Sequence, residues 1–129
     1  MAETMRPLLL RVAVVALSGL PLSLVAPRST AQEPAAHQRN LNVVARKYAF
    51  DPARLEVNLD DLVKVTLSSP DIAHSFTIDA YRIAKRVSGG HAVTFEFRAD
   101  QAGTFPIYCN LRQDERCRQM HGELVVHAK

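Results

Sequence analysis

Cys109, Cys117, Met120 and His121 lie close together near the C-terminal end of the 129-residue chain, and seven mostly polar residues separate the two cysteines. Thiolate and thioether are soft donors, and soft donors suit copper. A methionine close to a cysteine and a histidine is the donor set of copper sites that pass electrons. Such a site needs one more donor from elsewhere. His74, in Ile72-Ala73-His74-Ser75-Phe76, can supply it.

Each of these residues also has a plainer reading. Free cysteine is commonly buried as a small apolar residue, and methionine fills gaps in cores. The two cysteines can instead pair as a disulfide, which an oxidising compartment favours. His74 follows a turn and could be an ordinary surface histidine. His91 sits beside Gly90 in a turn, and His37 and His127 lie towards the ends of the chain, so these three are read as bystanders. Asp60-Asp61 and Asp114-Glu115 are read as solvated turn and loop charges. The sequence has no Ser-His-Asp order and no glycine-rich phosphate loop, so an enzyme acting alone is not expected.

The elements that must position the donors are strands. From Leu41 onward the apolar residues recur every second position. Leu41, Val43 and Ala45 alternate with Asn42, Val44 and Arg46, and Leu55 and Val57 with Glu56 and Asn58. The same period holds at Val63, Val65 and Leu67, at Phe76 and Ile78, and at Val93, Phe95 and Phe97. Successive strand side chains point to opposite faces, so each run has one face to bury. Turn signals separate the runs at Asp51-Pro52, Asp60-Asp61, Ser69-Pro70-Asp71, Gly89-Gly90 and Asp100 to Gly103. Short strands at this spacing predict an antiparallel sandwich or barrel. Leu111 to Arg118 has room for one helical turn at most.

The first third of the chain differs. Arg6 and Arg11 flank a basic start, Val12 to Val25 is almost wholly apolar, and Ser29-Thr30-Ala31 offers small residues for a cut before Gln32. Those are the parts of a secretory signal peptide. The apolar run is short for a membrane span and contains Pro21, so cleavage is expected rather than an anchor helix. The reading is a signal peptide at 1–31, a flexible linker at 32–40 and a folded domain at 41–129. Residues 32–129 carry 13 basic and 12 acidic side chains, a net of +1 against +3 for the whole chain. Nucleic-acid binding would need a clustered basic face, and this balance gives it no support.

Several motifs appear together and in order: Ala49-Phe50-Asp51-Pro52, His74-Ser75-Phe76-Thr77-Ile78, Tyr81-Arg82-Ile83, Val93-Thr94-Phe95-Glu96-Phe97, Ala102 to Cys109, and Met120-x-Gly122-Glu123-Leu124-Val125-Val126. With them the chain resembles the cupredoxins, most of all the periplasmic copper domain of cytochrome c oxidase subunit II. The resemblance covers roughly residues 41–127. It implies an all-β, Greek-key β-sandwich or barrel with copper bound where loops meet at one end. In that oxidase domain the ligand loop runs Cys, three residues, Cys, three residues, His, two residues, Met. Anchored on Cys109 and Met120, this loop keeps the family's length but has Gln113 at the second Cys position and Cys117 at the His position. The pair of bridging thiolates of a dinuclear centre is therefore absent from its usual place. The ligand set implied is His74, Cys109, Cys117 as the replacement for the loop histidine, and Met120 as weak axial donor. His121, just past the methionine, is the second choice, because the family's residue there points outward.

Copper binding in the periplasm or outside the cell follows as the expected function, for electron transfer or in association with an oxidase or another periplasmic redox protein. Two alternatives stand beside it. One is a Cu(I) chaperone or scavenger, since two thiolates, a thioether and an imidazole form a soft set. The other is a metal-free scaffold with a Cys109–Cys117 disulfide. The copper readings predict two free thiols once metal is removed.

Overall fold

The computed structural model describes residue 13, residues 15–31 and residues 35–129. Most of the basic start read as part of a signal peptide, and 32–34 of the linker, lie outside the described residues. Residues 15–31 form no helix or strand and are exposed. No helix among the described residues is long and apolar enough to cross a membrane.

From Gln38 the chain folds as nine strands. They are β1 (Gln38–Arg46), β2 (Ala49–Asp51), β3 (Arg54–Asn58), β4 (Leu62–Ser69), β5 (His74–Ile78), β6 (Ile83–Val87), β7 (His91–Arg98), β8 (Gly103–Tyr108) and β9 (His121–His127). Single 3-10 turns occupy Asp79–Tyr81 and Cys117–Gln119. The second is the one helical turn the polar loop had room for. One sheet has the order β2-β1-β4-β7 and the other β3-β9-β8-β5-β6.

Alternation decides which side chains face inward. In β4 the buried residues are Val63, Val65, Leu67 and Ser69, and in β3 they are Leu55 and Val57. Phe76 joins the two sheets. Its ring lies 5.9 Å from that of Phe50 in β2 and 5.6 Å from that of Phe95 in β7. His74, Phe76 and Ile78 share one face of β5 by the two-residue period, and all three are fully buried. That register carries His74 into the core.

Two features differ from the expectation of antiparallel strands beginning at Leu41. First, β1 pairs with β4 and β3 with β9 in parallel. Strands close in sequence change sheets: β3 leaves for the second sheet between β2 and β4. A strand that returns after such a crossover can come back in the same direction, as β4 does to β1, whereas a hairpin forces antiparallel pairing. Second, β1 starts at Gln38, inside the stretch read as linker. Gln38, Arg39 and Asn40 are exposed, so they carry no hydrophobic signal; backbone pairing with Leu62, Val63 and Lys64 makes them strand.

Gly122 lets β9 lie close to the chain entering β3. A Cβ on Gly122 would stand 2.5 Å from the carbonyl oxygen of Ala53, and the neighbouring Glu123 N–H donates to that same oxygen at 2.8 Å.

Candidate metal centre

The four sequence-predicted donors are all buried: His74, Cys109 and Met120 at 0 % exposure and Cys117 at 1 %. His74 opens β5. Cys109 follows β8, where the two-residue period puts it on the same side as the buried Ile107. Cys117 begins the 3-10 turn of the loop, and Met120 ends that turn with its N–H donating to the Cys117 carbonyl at 3.0 Å. His121 is exposed at the start of β9, and His37, His91 and His127 are exposed as well.

Cys109 and Cys117 are joined as a disulfide, with their Cα atoms 5.3 Å apart. The structure thus shows the paired alternative, and the expected two free thiols are not present in this form. The same fold that brings the sulfurs together for a metal also brings them together for a bond. No group of three His, Cys, Asp or Glu side chains among the described residues is arranged to hold a metal.

Around the disulfide most polar groups are tied, and among the described residues two buried side-chain atoms on β5 have no partner, His74 Nδ1 and Thr77 Oγ1. The Ser75 N–H donates to Cys109 Sγ at 3.3 Å. Ser75 Oγ donates to Asn110 Oδ1 at 2.7 Å and accepts the Asn110 N–H at 2.7 Å, which fixes the start of the loop against β5. His74 Nε2 lies 2.9 Å from Asp71 Oδ1. A carboxylate there places a proton on Nε2. The other ring nitrogen, Nδ1, is buried with no hydrogen-bond partner. Buried polar atoms without partners are uncommon and call for an explanation. A metal-binding histidine gives one: its second nitrogen is typically held by a carboxylate or carbonyl, leaving the first free to coordinate.

Asp71 does more than hold the imidazole. Its Oδ2 accepts the Lys47 N–H at 2.7 Å, tying the loop before β5 to the β1–β2 turn. Its Oδ1 accepts the Ile72 N–H at 2.6 Å. Burial pushes this carboxyl's pKa up, but the hydrogen bonds from Lys47, Ile72 and His74 outweigh it, and the group stays well below the usual carboxylate range. Gly89 keeps the β6–β7 turn against the Asp71 carbonyl, where any Cβ would clash. Asp71→Ala should leave buried His74 Nε2 without a partner and cost about 1–3 kcal/mol, read as a lower melting temperature.

The sequence reading missed Asp71, although Asp-x-x-His ahead of a strand was visible as a spacing. It also missed Tyr48, whose ring meets that of His74 edge-on at 6.5 Å, and Arg116, whose guanidinium lies 5.6 Å from the Tyr48 ring centroid. No local signal could have joined residues so far apart in sequence.

Two facing sheets of short strands joined by loops define a class of small all-β domains. The chain belongs to the cupredoxin-like domain family, which it matches over residues 15–126. Among solved structures it is similar to the periplasmic domain of subunit II of cytochrome oxidase (CoxB) from Bradyrhizobium japonicum. The TM-score is 0.63 at 14 % identity, over 74 % of this chain and 88 % of that one. It is also similar to auracyanin A, a "blue" copper protein of Chloroflexus aurantiacus, with TM-score 0.59 and 17 % identity over 70 % and 99 % of the two chains. A third similar structure is a mixed disulfide intermediate between thioredoxin-like TlpA and the oxidase subunit II domain, at TM-score 0.59 and 14 % identity over 78 % and 88 %. No curated protein matches the chain. At these identities the likenesses establish the fold.

Proposed function

We propose that this chain is an exported copper-binding protein of the cell envelope that takes up copper once the Cys109–Cys117 disulfide is reduced. The observation that carries the reading is the buried, unpartnered Nδ1 of His74, next in sequence to Ser75, whose N–H reaches Cys109 Sγ. Asp71 fixes the imidazole, Ser75 N–H stabilises negative charge on Cys109 Sγ, and the buried Met120 offers a thioether. Copper bound there would supply a one-electron couple. Electron transfer, free-standing or beside an oxidase, is the first reading, supported by the likeness to a blue copper protein and to an oxidase subunit. The polypeptide is then a binding and electron-transfer domain and not an enzyme by itself.

The disulfide favours a second reading, Cu(I) delivery. A thiol pair that can close on itself releases soft metal when oxidised, and Cu(I) prefers such sulfur donors. In either case a dithiol donor must open the pair. Its thiolate attacks one sulfur, a mixed disulfide forms, and its second thiol resolves it. The likeness to a domain that forms a mixed disulfide with a thioredoxin-like protein supports a thioredoxin-like dithiol as that partner.

The test is copper titration of the reduced and the oxidised protein, with thiols counted in parallel. Uptake of about one copper per reduced chain, and none by the oxidised chain, is expected. An intense visible charge-transfer band with Cu(II) and a reversible couple assign electron transfer. A colourless product that holds Cu(I) against a chelator assigns delivery. If the reduced protein takes up neither ion, both copper readings fail and the domain is a scaffold. His74→Ala separates this site from adventitious binding, because it should abolish tight uptake and leave surface histidines untouched.

A further inference from the structure

Two of the loops around the candidate centre carry more positive charge than the domain as a whole, and the third, before β5, adds one carboxylate, Asp71. The β1–β2 turn and the loop after β8 (residues 46–48 and 110–119) hold Arg46, Lys47, Arg112, Arg116 and Arg118 against Asp114 and Glu115, a net of +3. Residues 32–129 together have 13 basic and 12 acidic side chains, so the remainder has 8 against 10, a net of −2. All five cations are exposed. No carboxylate among the described residues comes within ion-pair distance of any of them. Asp114 is half-buried and spends one oxygen on the Arg116 N–H at 3.0 Å, so it is tied into its own loop.

The two segments touch. Arg116 lies over the half-buried Tyr48 ring, and Tyr48 meets His74 edge-on. A surface guanidinium, an aromatic ring and a buried imidazole are thus stacked in sequence from solvent to site. Arginine and tyrosine are the side chains that most often anchor protein interfaces. A rim of one sign raises the rate of encounter with a partner of the other sign.

From this geometry we infer that the site end of the domain is a docking surface for an acidic protein, with Tyr48 and Arg116 at its centre. The inference rests on the copper reading for its purpose, since the partner would exchange electrons or metal there, but not for its chemistry. A protein fits better than an anionic membrane. Membrane-surface segments pair basic residues with apolar side chains that insert, and no large apolar side chain of these two segments is exposed. A second basic stretch has Arg82 just before β6 and Lys85 and Arg86 within it, at the edge of its sheet. Charges on an edge strand have their own role in blocking strand addition, which makes that stretch the control.

The experiment uses the oxidised protein without copper, labelled with nitrogen-15 and titrated with an octaglutamate peptide. Amide shifts should cluster at 46–48 and 112–118 and shrink steeply with salt, because the Debye length falls from about 10 Å at 0.1 M to about 3 Å at 1 M. Arg112→Glu combined with Arg118→Glu should weaken the peptide roughly tenfold or more. Lys85→Glu combined with Arg86→Glu should leave it unchanged. Shifts centred on β6, shifts spread over all cations, or binding indifferent to salt would each overturn the inference. So would tighter binding of the same residues to vesicles of equal parts phosphatidylglycerol and phosphatidylcholine. Failure of the copper reading shows separately, as absence of copper uptake by the reduced protein.

Discussion

Phe76→Ala should destabilise the domain by about 3–5 kcal/mol, the usual cost of deleting a large buried aromatic ring. Phe76 is fully buried and lies in contact with one ring on each side, Phe50 and Phe95, both in the opposite sheet. Such aromatic pairs add about 0.5–1.5 kcal/mol beyond area burial. The cavity would open between the sheets, where strand pairing on both sides resists collapse. In a domain of this size that loss corresponds to a fall in melting temperature of roughly 15–30 °C. Denaturant titration gives the free energy directly. A loss below about 1 kcal/mol would mean that the two sheets are not held through this ring. Truncating the half-buried Phe105 should cost clearly less.

The second large effect is an order of melting temperatures. The disulfide closes a short loop, with the cysteines 8 residues apart in sequence. Chain entropy alone makes such a cross-link worth about 2–3 kcal/mol. Reduced, metal-free protein should therefore melt well below the oxidised form. Copper should reverse the order. A ligand present at about a thousand times its dissociation constant stabilises by about 4 kcal/mol, more than the cross-link contributes. The expected sequence is reduced, then oxidised, then reduced with copper, and copper should not move the oxidised form. Cys109→Ser combined with Cys117→Ser should melt like the reduced protein and ignore copper. Equal stabilisation of the oxidised and reduced forms would place copper elsewhere, at exposed histidines such as His91 or His127.

Residues whose neighbours in sequence decide their fate were readable in advance. Val63, Val65 and Leu67 alternate and are buried as the pattern demands. His74 was readable because Phe76 and Ile78 fix the register of its strand. β6 was not: only its end residues Ile83 and Val87 are buried, and the three between are exposed, so it shows no alternation. Ser75 and Thr77 read as a solvent-facing pair, yet both are buried, and the loop after β8 lies against Ser75, whose hydroxyl bonds Asn110. The four candidate donors were named by type and order, and all four are buried. Whether Cys109 and Cys117 face one another as thiols or as a bond was not legible, because the same proximity serves both. The supports of the site, Asp71 on Lys47 and Arg116 on Tyr48, join segments 24 or more positions apart, and no local pattern encodes them.

The place of β9 has a consequence for how the chain is made. It lies inside its sheet, between β3 and β8, and β3 has no other neighbour. A ribosome delivers β9 after the other eight strands. Until His121–His127 has emerged, β3 has nothing to pair with, and the second sheet cannot hold its inner strands in register. Gly122 must then slide in against Ala53, nearly seventy positions upstream. Closing so long a loop late makes folding slow compared with a domain of local contacts. Until β9 arrives, the second sheet therefore stays open between β3 and β8. A stop codon placed just before His121 should yield a product that proteases clear and that never acquires the paired β5–β8 clamp around Cys109.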